Sequence, residues 1–216
     1  MSLAAVLFDN DGLTLDTEPA WTRAEQTLFG RYGQTFTIEH KRELLGTAPV
    51  DAAAKLERML GRPGDELNDE LYALVLEEVR EGVEPMPGAV ALLAALDSAG
   101  VPVGLVSNSR RGFVERGLRA AGLDDAFAVI VVAEEVARPK PAPDAYLAAA
   151  AALGAAPSAC AVLEDSPTGL AAGRAAGALT IGVPSVPGMR LEADVVAVSL
   201  EDPAIWLALG LEAAAA

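Results

Sequence analysis

Cysteine and histidine are almost absent from this chain of 216 residues, which holds one of each. The lone Cys160 excludes an internal disulfide, and its apolar setting in CAVL predicts a buried strand residue, not a reactive thiol. Aromatic residues reach only 5% while apolar residues reach 52%. The core must therefore be filled mainly by Ala, Val and Leu, with enough material for one sizeable core and a smaller satellite domain. Positive charge is scarce too: 16 Lys and Arg face 31 Asp and Glu, for a formal net charge of -15. That balance repels phosphate backbones and anionic lipid, so neither nucleic acid nor a membrane surface is an expected partner. Any anionic ligand needs a locally positive pocket. No run approaches the roughly 20 apolar residues of a membrane helix, and the N-terminus opens directly on a strand pattern without a basic start or cleavage site. A reducing cytoplasm is the expected setting.

What is present is punctuation. Runs rich in Val, Leu and Ile read as strands buried on both faces: LAAVLFD from Leu3, VPVGLVSN from Val101, CAVLED from Cys160 and LTIGVP from Leu179, with the weaker AVIVVAE from Ala128. Helical patterns lie between them, at Pro87 to Ala99, Arg111 to Ala121, Pro143 to Leu153 and Pro167 to Ala176, closed by Gly100, Gly122, Gly154 and Gly177. Pro at the start and Gly past the end suit helix capping. The alternation predicts an α/β fold, a Rossmann-like doubly wound parallel sheet with helices on both faces. From Glu18 to about Met86 the rhythm breaks, leaving only helical stretches such as AWTRAEQTLFGRYG and VDAAAKLERMLG. This interval reads as an inserted helical subdomain hinged at TEP and at EPMPG, Glu84 to Gly88. The closing alanines read as a frayed helix end.

In a doubly wound sheet, ligands bind outside the carboxyl ends of the strands. The polar residues cluster at those ends: Asp9-Asn10-Asp11 after the first strand, Ser107-Asn108-Ser109 after the second, Arg138-Pro139-Lys140 after the weaker run, and Glu164-Asp165-Ser166 after CAVL. Parallel neighbouring strands would bring all four into one crevice, where clustered acids suit a hard cation such as Mg²⁺.

Taken in order, FDNDGLTLDTE, LVSNS, Lys140 in KPAPD and LEDSPTG resemble the four motifs of the haloacid dehalogenase superfamily, in the branch that carries a helical cap after the first motif. The resemblance covers nearly the whole chain. It implies a catalytic core of residues 1–16 and 87–216, with a cap at 17–86. It also implies roles. Asp9 would be the nucleophile that forms an aspartyl-phosphate. Asp11 would protonate the leaving alcohol and then deprotonate water, with its backbone carbonyl reaching the metal. Asp165 would bind Mg²⁺ directly and Glu164 directly or through water, completing a metal set of Asp9, Asp11, Glu164 and Asp165. Gly12, Ser107 and the backbone N–H of Asn108 would hold phosphate at a helix start, and Lys140 would neutralise nucleophile and phosphoryl group. Asn10 is expected to point away from the site.

The implied activity is a monomeric, Mg²⁺-dependent phosphatase of a small-molecule phosphate ester. TEPAWTRAE resembles the corresponding stretch of hexose- and hexitol-phosphate phosphatases, which favours a sugar or sugar-alcohol phosphate. The alternative is a hexose-phosphate mutase of the beta-phosphoglucomutase type. Against it stand Trp21 and Pro49, where the mutase pattern carries a His and an Arg. Trp21, at the cap entrance, is open to either packing or substrate contact. Arg23, Lys41 and Arg42 could offer positive charge to a substrate but individually read as surface residues, His40 as a solvated helix residue and Trp206 as core packing. A receiver domain is disfavoured because its phosphoacceptor lies on an internal strand, and a catalytically inactive binding protein because every motif acid and Lys140 is present.

Overall fold

Strand β1 (Ala5–Phe8) buries all four of its residues, Ala5 and Leu7 on one face of the sheet and Val6 and Phe8 on the other. Burial on both faces is what an all-parallel sheet requires, because helices cover each side. The computed structural model describes residues 3–80, 82–186 and 188–211; the closing alanines, read above as a helix end, lie outside them. After β1 come four consecutive helices: α1 (Glu18–Arg31), α2 (Ile38–Leu44), α3 (Pro49–Leu60) and α4 (Gly64–Arg80). The chain then alternates α5 (Ala89–Ser98), β2 (Val103–Ser107), α6 (Arg111–Ala120), β3 (Val129–Val132), α7 (Asp144–Ala152), β4 (Cys160–Glu164), α8 (Pro167–Ala176) and β5 (Leu179–Gly182). A two-residue strand, β6 (Val195–Val196), and α9 (Pro203–Leu209) complete the described part.

Every strand pair is parallel, in the order β3-β2-β1-β4-β5-β6. The order reverses direction at β1, which makes the carboxyl end of β1 the switch point where a crevice opens. Register fixes what meets there. Phe8 lies opposite Leu105 of β2 and Leu163 of β4, and the Asp9 N–H donates to the Leu163 carbonyl at 3.0 Å. Asp9 therefore emerges beside Glu164, with Ser107 on its other flank.

One core face is small-residue packing: Ala5, Leu7 and Val162 against Tyr146, Ala149 and Ala150 of α7 and Ala172 of α8. The opposite face packs Val6, Phe8, Leu105 and Leu163 against α5, α6 and α9, with Trp206 buried and its Nε1 donating to the Leu200 carbonyl. This second cluster runs without a break through Leu13 and Leu15 into Leu28, Phe29, Leu67 and Val75 of the inserted helices. The two links to the insertion lie side by side: the Asp16 N–H donates to Glu84 O at 2.9 Å and the Met86 N–H to Thr14 O at 3.0 Å. No helix among the described residues is long and apolar enough to cross a membrane.

Candidate active site

Lys140 is the centre of the site. It sits 3% exposed, and its Nζ lies 2.6 Å from Asp9 Oδ1, 2.6 Å from Glu164 Oε1 and 2.8 Å from the Val106 carbonyl, which it also donates to. Burial alone would lower the lysine pKa, but the charges of Asp9 and Glu164 outweigh it and hold the ammonium well above its usual range. Tyr146 supports the group from below, its hydroxyl donating to Glu164 Oε1 at 2.7 Å and its ring 4.9 Å from the ammonium. The other Glu164 oxygen accepts from the Ser166 N–H and hydroxyl, and the Ser166 Oγ in turn caps α8 by accepting from the Gly169 N–H.

Asp9, Glu164 and Asp165 each offer a carboxylate oxygen, all within 4.8 Å of one another and all buried. Burial, followed by the charge of Glu164, pushes the Asp9 pKa up against the pull of Lys140. Burial and the charges of Asp9 and Glu164 do the same to Asp165, opposed by the Ser185 hydroxyl that donates to its Oδ2 at 2.5 Å. Three acids against one ammonium leave a formal deficit of two positive charges. Hard oxygen donors with that deficit fit a divalent cation. Gly12 permits the arrangement, because a Cβ on its backbone at φ +78° would come within 2.5 Å of Asp165 Oδ2.

Asp11 belongs to a different environment. Its Oδ1 accepts from the Thr17 hydroxyl at 2.8 Å and from Trp21 Nε1 at 3.2 Å, and its Oδ2 from Ser109 Oγ at 2.8 Å and Ser107 Oγ at 3.3 Å. Its side chain is outside the group formed by Asp9, Glu164 and Asp165. Of the metal set read from the sequence, only these three therefore converge through their side chains. Trp21 takes the packing role, its indole on Tyr72 and Phe113 at 5.4 and 5.1 Å between ring centres, and its N–H also donates to Asp11.

The Ser107–Ser109 segment is not a helix start. α6 begins at Arg111 with Arg110 as its cap, because Ser107 still belongs to β2 and the intervening turn is not helical. Asn108 instead uses its side chain as a tie: Nδ2 donates to the Gly46 and Lys140 carbonyls, and Oδ1 accepts from the Lys140 N–H, each at 3.1 Å. Asn10 is fully buried and does not line the cavity.

The cavity rises from Asp9, Asp11, Lys140 and Asp165 toward the inserted helices, whose wall includes Glu18, Glu25, Lys41 and Asn68. Two surface readings are corrected here. Lys41 is 8% exposed, its Nζ 2.7 Å from Glu18 and 3.1 Å from Glu25, because two acids of α1 face it across the fold. His40 is half-buried, stacked on Phe29 and accepting from the Thr37 N–H in the cap of α2. Arg23 and Arg42 are exposed, Arg23 paired with Glu78.

A family model for haloacid dehalogenase-like hydrolases matches residues 3–177. Hexitol phosphatase A of Escherichia coli (strain K12) is 34% identical over 215 residues, covering 93% of each chain. The bifunctional riboflavin kinase/FMN phosphatase of Arabidopsis thaliana is 36% identical over 187 residues, 85% of this chain and 49% of that protein, so the chain spans about half its length. Among solved structures, CbbY from Rhodobacter sphaeroides in complex with phosphate superposes with a TM-score of 0.80 at 28% identity, covering 92% of this chain and 95% of that one.

Proposed function

The chain belongs to the haloacid dehalogenase-like hydrolases, and from that membership we propose a Mg²⁺-dependent phosphatase that works through an aspartyl-phosphate on Asp9, with a sugar or sugar-alcohol phosphate as substrate. Phosphoric monoester hydrolysis is the reaction class. Hexitol phosphatase A, by its name, acts on a sugar-alcohol phosphate, which supports the substrate assignment. One observation carries the chemistry: Lys140 is shared between Asp9 and Glu164 on the cavity floor, while Asp11, two residues from Asp9, is held apart by four donors. Two acids in two environments can play two roles.

In the first half-reaction an Asp9 oxygen attacks phosphorus and the bond to the ester oxygen breaks. Asp11 gives its proton to the departing alkoxide, a transfer worth about 10²–10⁴ in rate. In the second, Asp11 takes a proton from water as the water oxygen attacks phosphorus, and the bond to Asp9 breaks. Lys140 offsets the charge gathered on Asp9 and on the phosphoryl oxygens. Asp9, Glu164 and Asp165 would hold the cation, with the Asp11 carbonyl as a further donor; when bound, it supplies electrostatic stabilisation of the phosphoryl oxygens. Residues 17–86 act as a cap over a core of 1–16 and 87–216, and closure would exclude water from the first step. The mutase reading is disfavoured by the same cavity. Pro49 lines it without a donor, Trp21 is engaged with Asp11, and Lys41 is neutralised by two carboxylates.

The test is release of inorganic phosphate from a panel of sugar and sugar-alcohol phosphates with Mg²⁺. Chelation should abolish turnover, and so should Asp9→Asn or Asp165→Ala. Full activity in excess chelator would remove the metal assignment, and glucose 6-phosphate formed from β-glucose 1-phosphate faster than phosphate is released would favour the mutase.

A further inference from the structure

The wall of the cavity opposite Lys140 is built unlike an anion site, although it contains a lysine. Lys41 Nζ is held between Glu18 Oε2 and Glu25 Oε2 at 2.7 and 3.1 Å, so the three groups together carry a formal excess of negative charge. Glu25 is 3% exposed, and burial pushes its pKa to about 7 against the attraction of Lys41. Buried ion pairs contribute little net stability, because desolvation consumes most of their attraction. A triad at a cavity wall is thus better explained by what it meets than by the fold it supports. Beside it stands Asn68 of α4, 3% exposed and lining the same cavity, whose Oδ1 has no hydrogen-bond partner among the described residues. An acceptor left unpaired in the interior costs about 1–3 kcal/mol, which a ligand donor would recover.

This wall is rich in acceptors. Two carboxylates and the Asn68 carbonyl oxygen accept hydrogen bonds, and the Lys41 ammonium can donate to an oxygen. Alcohol hydroxyls both donate and accept, so several of them satisfy such a wall at once. A second phosphate or a carboxylate offers only acceptors and brings like charge. Resting on the phosphatase reading, we infer that Glu18, Glu25, Lys41 and Asn68 form a subsite for an uncharged, polyhydroxylated leaving group and discriminate against phosphate esters that carry a second anionic group. The apolar flank of the cavity, Leu44, Leu45 and Leu71, leaves the hydroxyl-bearing edge to face the polar residues.

The experiment compares kcat/KM of the full chain with Mg²⁺ on sorbitol 6-phosphate, phosphoglycolate, glucose 1,6-bisphosphate and p-nitrophenyl phosphate, the last lacking hydroxyls. The wild type should prefer sorbitol 6-phosphate over phosphoglycolate and glucose 1,6-bisphosphate, which carry a second anionic group, by tenfold or more, about one lost hydrogen-bond pairing in free energy. Asn68→Leu should cost about tenfold on sorbitol 6-phosphate, chiefly through KM, and less than about threefold on p-nitrophenyl phosphate. Glu25→Gln, which keeps the side-chain shape and removes the ionisable carboxyl, should narrow the gap to phosphoglycolate when assayed above the Glu25 pKa, and gives an independent reading if Asn68→Leu folds poorly. Equal wild-type efficiency on the polyol and the anionic esters would overturn the inference, as would variants that lower all four substrates alike. A wild type inactive even on p-nitrophenyl phosphate would overturn the phosphatase reading itself.

Discussion

Gly169, in the first turn of α8, lies so close to Glu164 that a Cβ there would fall 1.7 Å from Glu164 Oε1. No rotation of an alanine methyl relieves that contact, so Gly169→Ala must expel the carboxylate from between Lys140 and Tyr146. Breaking a buried, hydrogen-bonded ion pair costs about 3–5 kcal/mol. Gly169→Ala should therefore lower the unfolding free energy measured in urea by about that amount and abolish phosphate release, and a variant of wild-type stability would show that Glu164 has another place to go. The sequence offers Gly169 only as one of the small residues in PTGLAAG, since its partner is fixed by packing and not by the local pattern. Asp9, Asp11, Lys140, Glu164 and Asp165 are legible because each stands where an apolar strand stops, or in a short motif beside such a stop. Lys41 is not legible, for a basic residue on a short helix ordinarily reaches solvent; its partner Glu25 lies 16 residues away, beyond any helical period. Tyr146, Ser185 and Asn68 escape for the same reason.

At the scale of elements, glycine and proline carried most of the reading. The helix limits expected between strands agree with α5 to α8 to within two residues, and all five principal strands form where apolar runs predict them. β6 has two residues and α9 seven, too short for a periodic signal, and α4 announces itself weakly because acids are spread along its 17 residues. α4 is also where the inserted helices meet the loop before α6. The Arg110 guanidinium lies 4.3 Å from the centre of the Tyr72 ring, its Nη2 donates to Asp69 at 2.7 Å, and its backbone N–H donates to the Tyr72 hydroxyl at 3.3 Å. The ion pair is partly exposed and the ring contact contributes about 0.5–1 kcal/mol, enough to bias closure but not to hold the fold. Arg110→Ala should raise KM by about three- to tenfold with a small change in thermal midpoint. A large loss of stability with unchanged KM would assign this contact to folding alone.

The whole molecule, at a formal charge of -15, must still attract and hold a phosphate ester. Its cavity floor does not reverse that sign with side chains alone, since the carboxylates of Asp9, Glu164 and Asp165 outnumber the one ammonium of Lys140, which pairs with Asp9 and Glu164. A divalent cation held there, as proposed, would supply the missing positive charge and reconcile the acidity of the chain with its reaction on an anion. In the proposed mechanism the phosphoryl group would go to Asp9, which faces the cavity, while Glu164 is hydrogen-bonded by Lys140, Tyr146 and Ser166. Trapping that group is the sharpest test of Asp9 as the nucleophile. Asp11→Asn, which slows attack by water, is mixed with Mg²⁺ and p-nitrophenyl phosphate, quenched in acid within one turnover and mapped by peptide mass spectrometry. One phosphoryl group is expected on the peptide containing Asp9, lost when Asp9→Asn is added; a phosphoryl group on Ser107 or Ser109, or none on any residue while phosphate is still released, would contradict the Asp9 assignment.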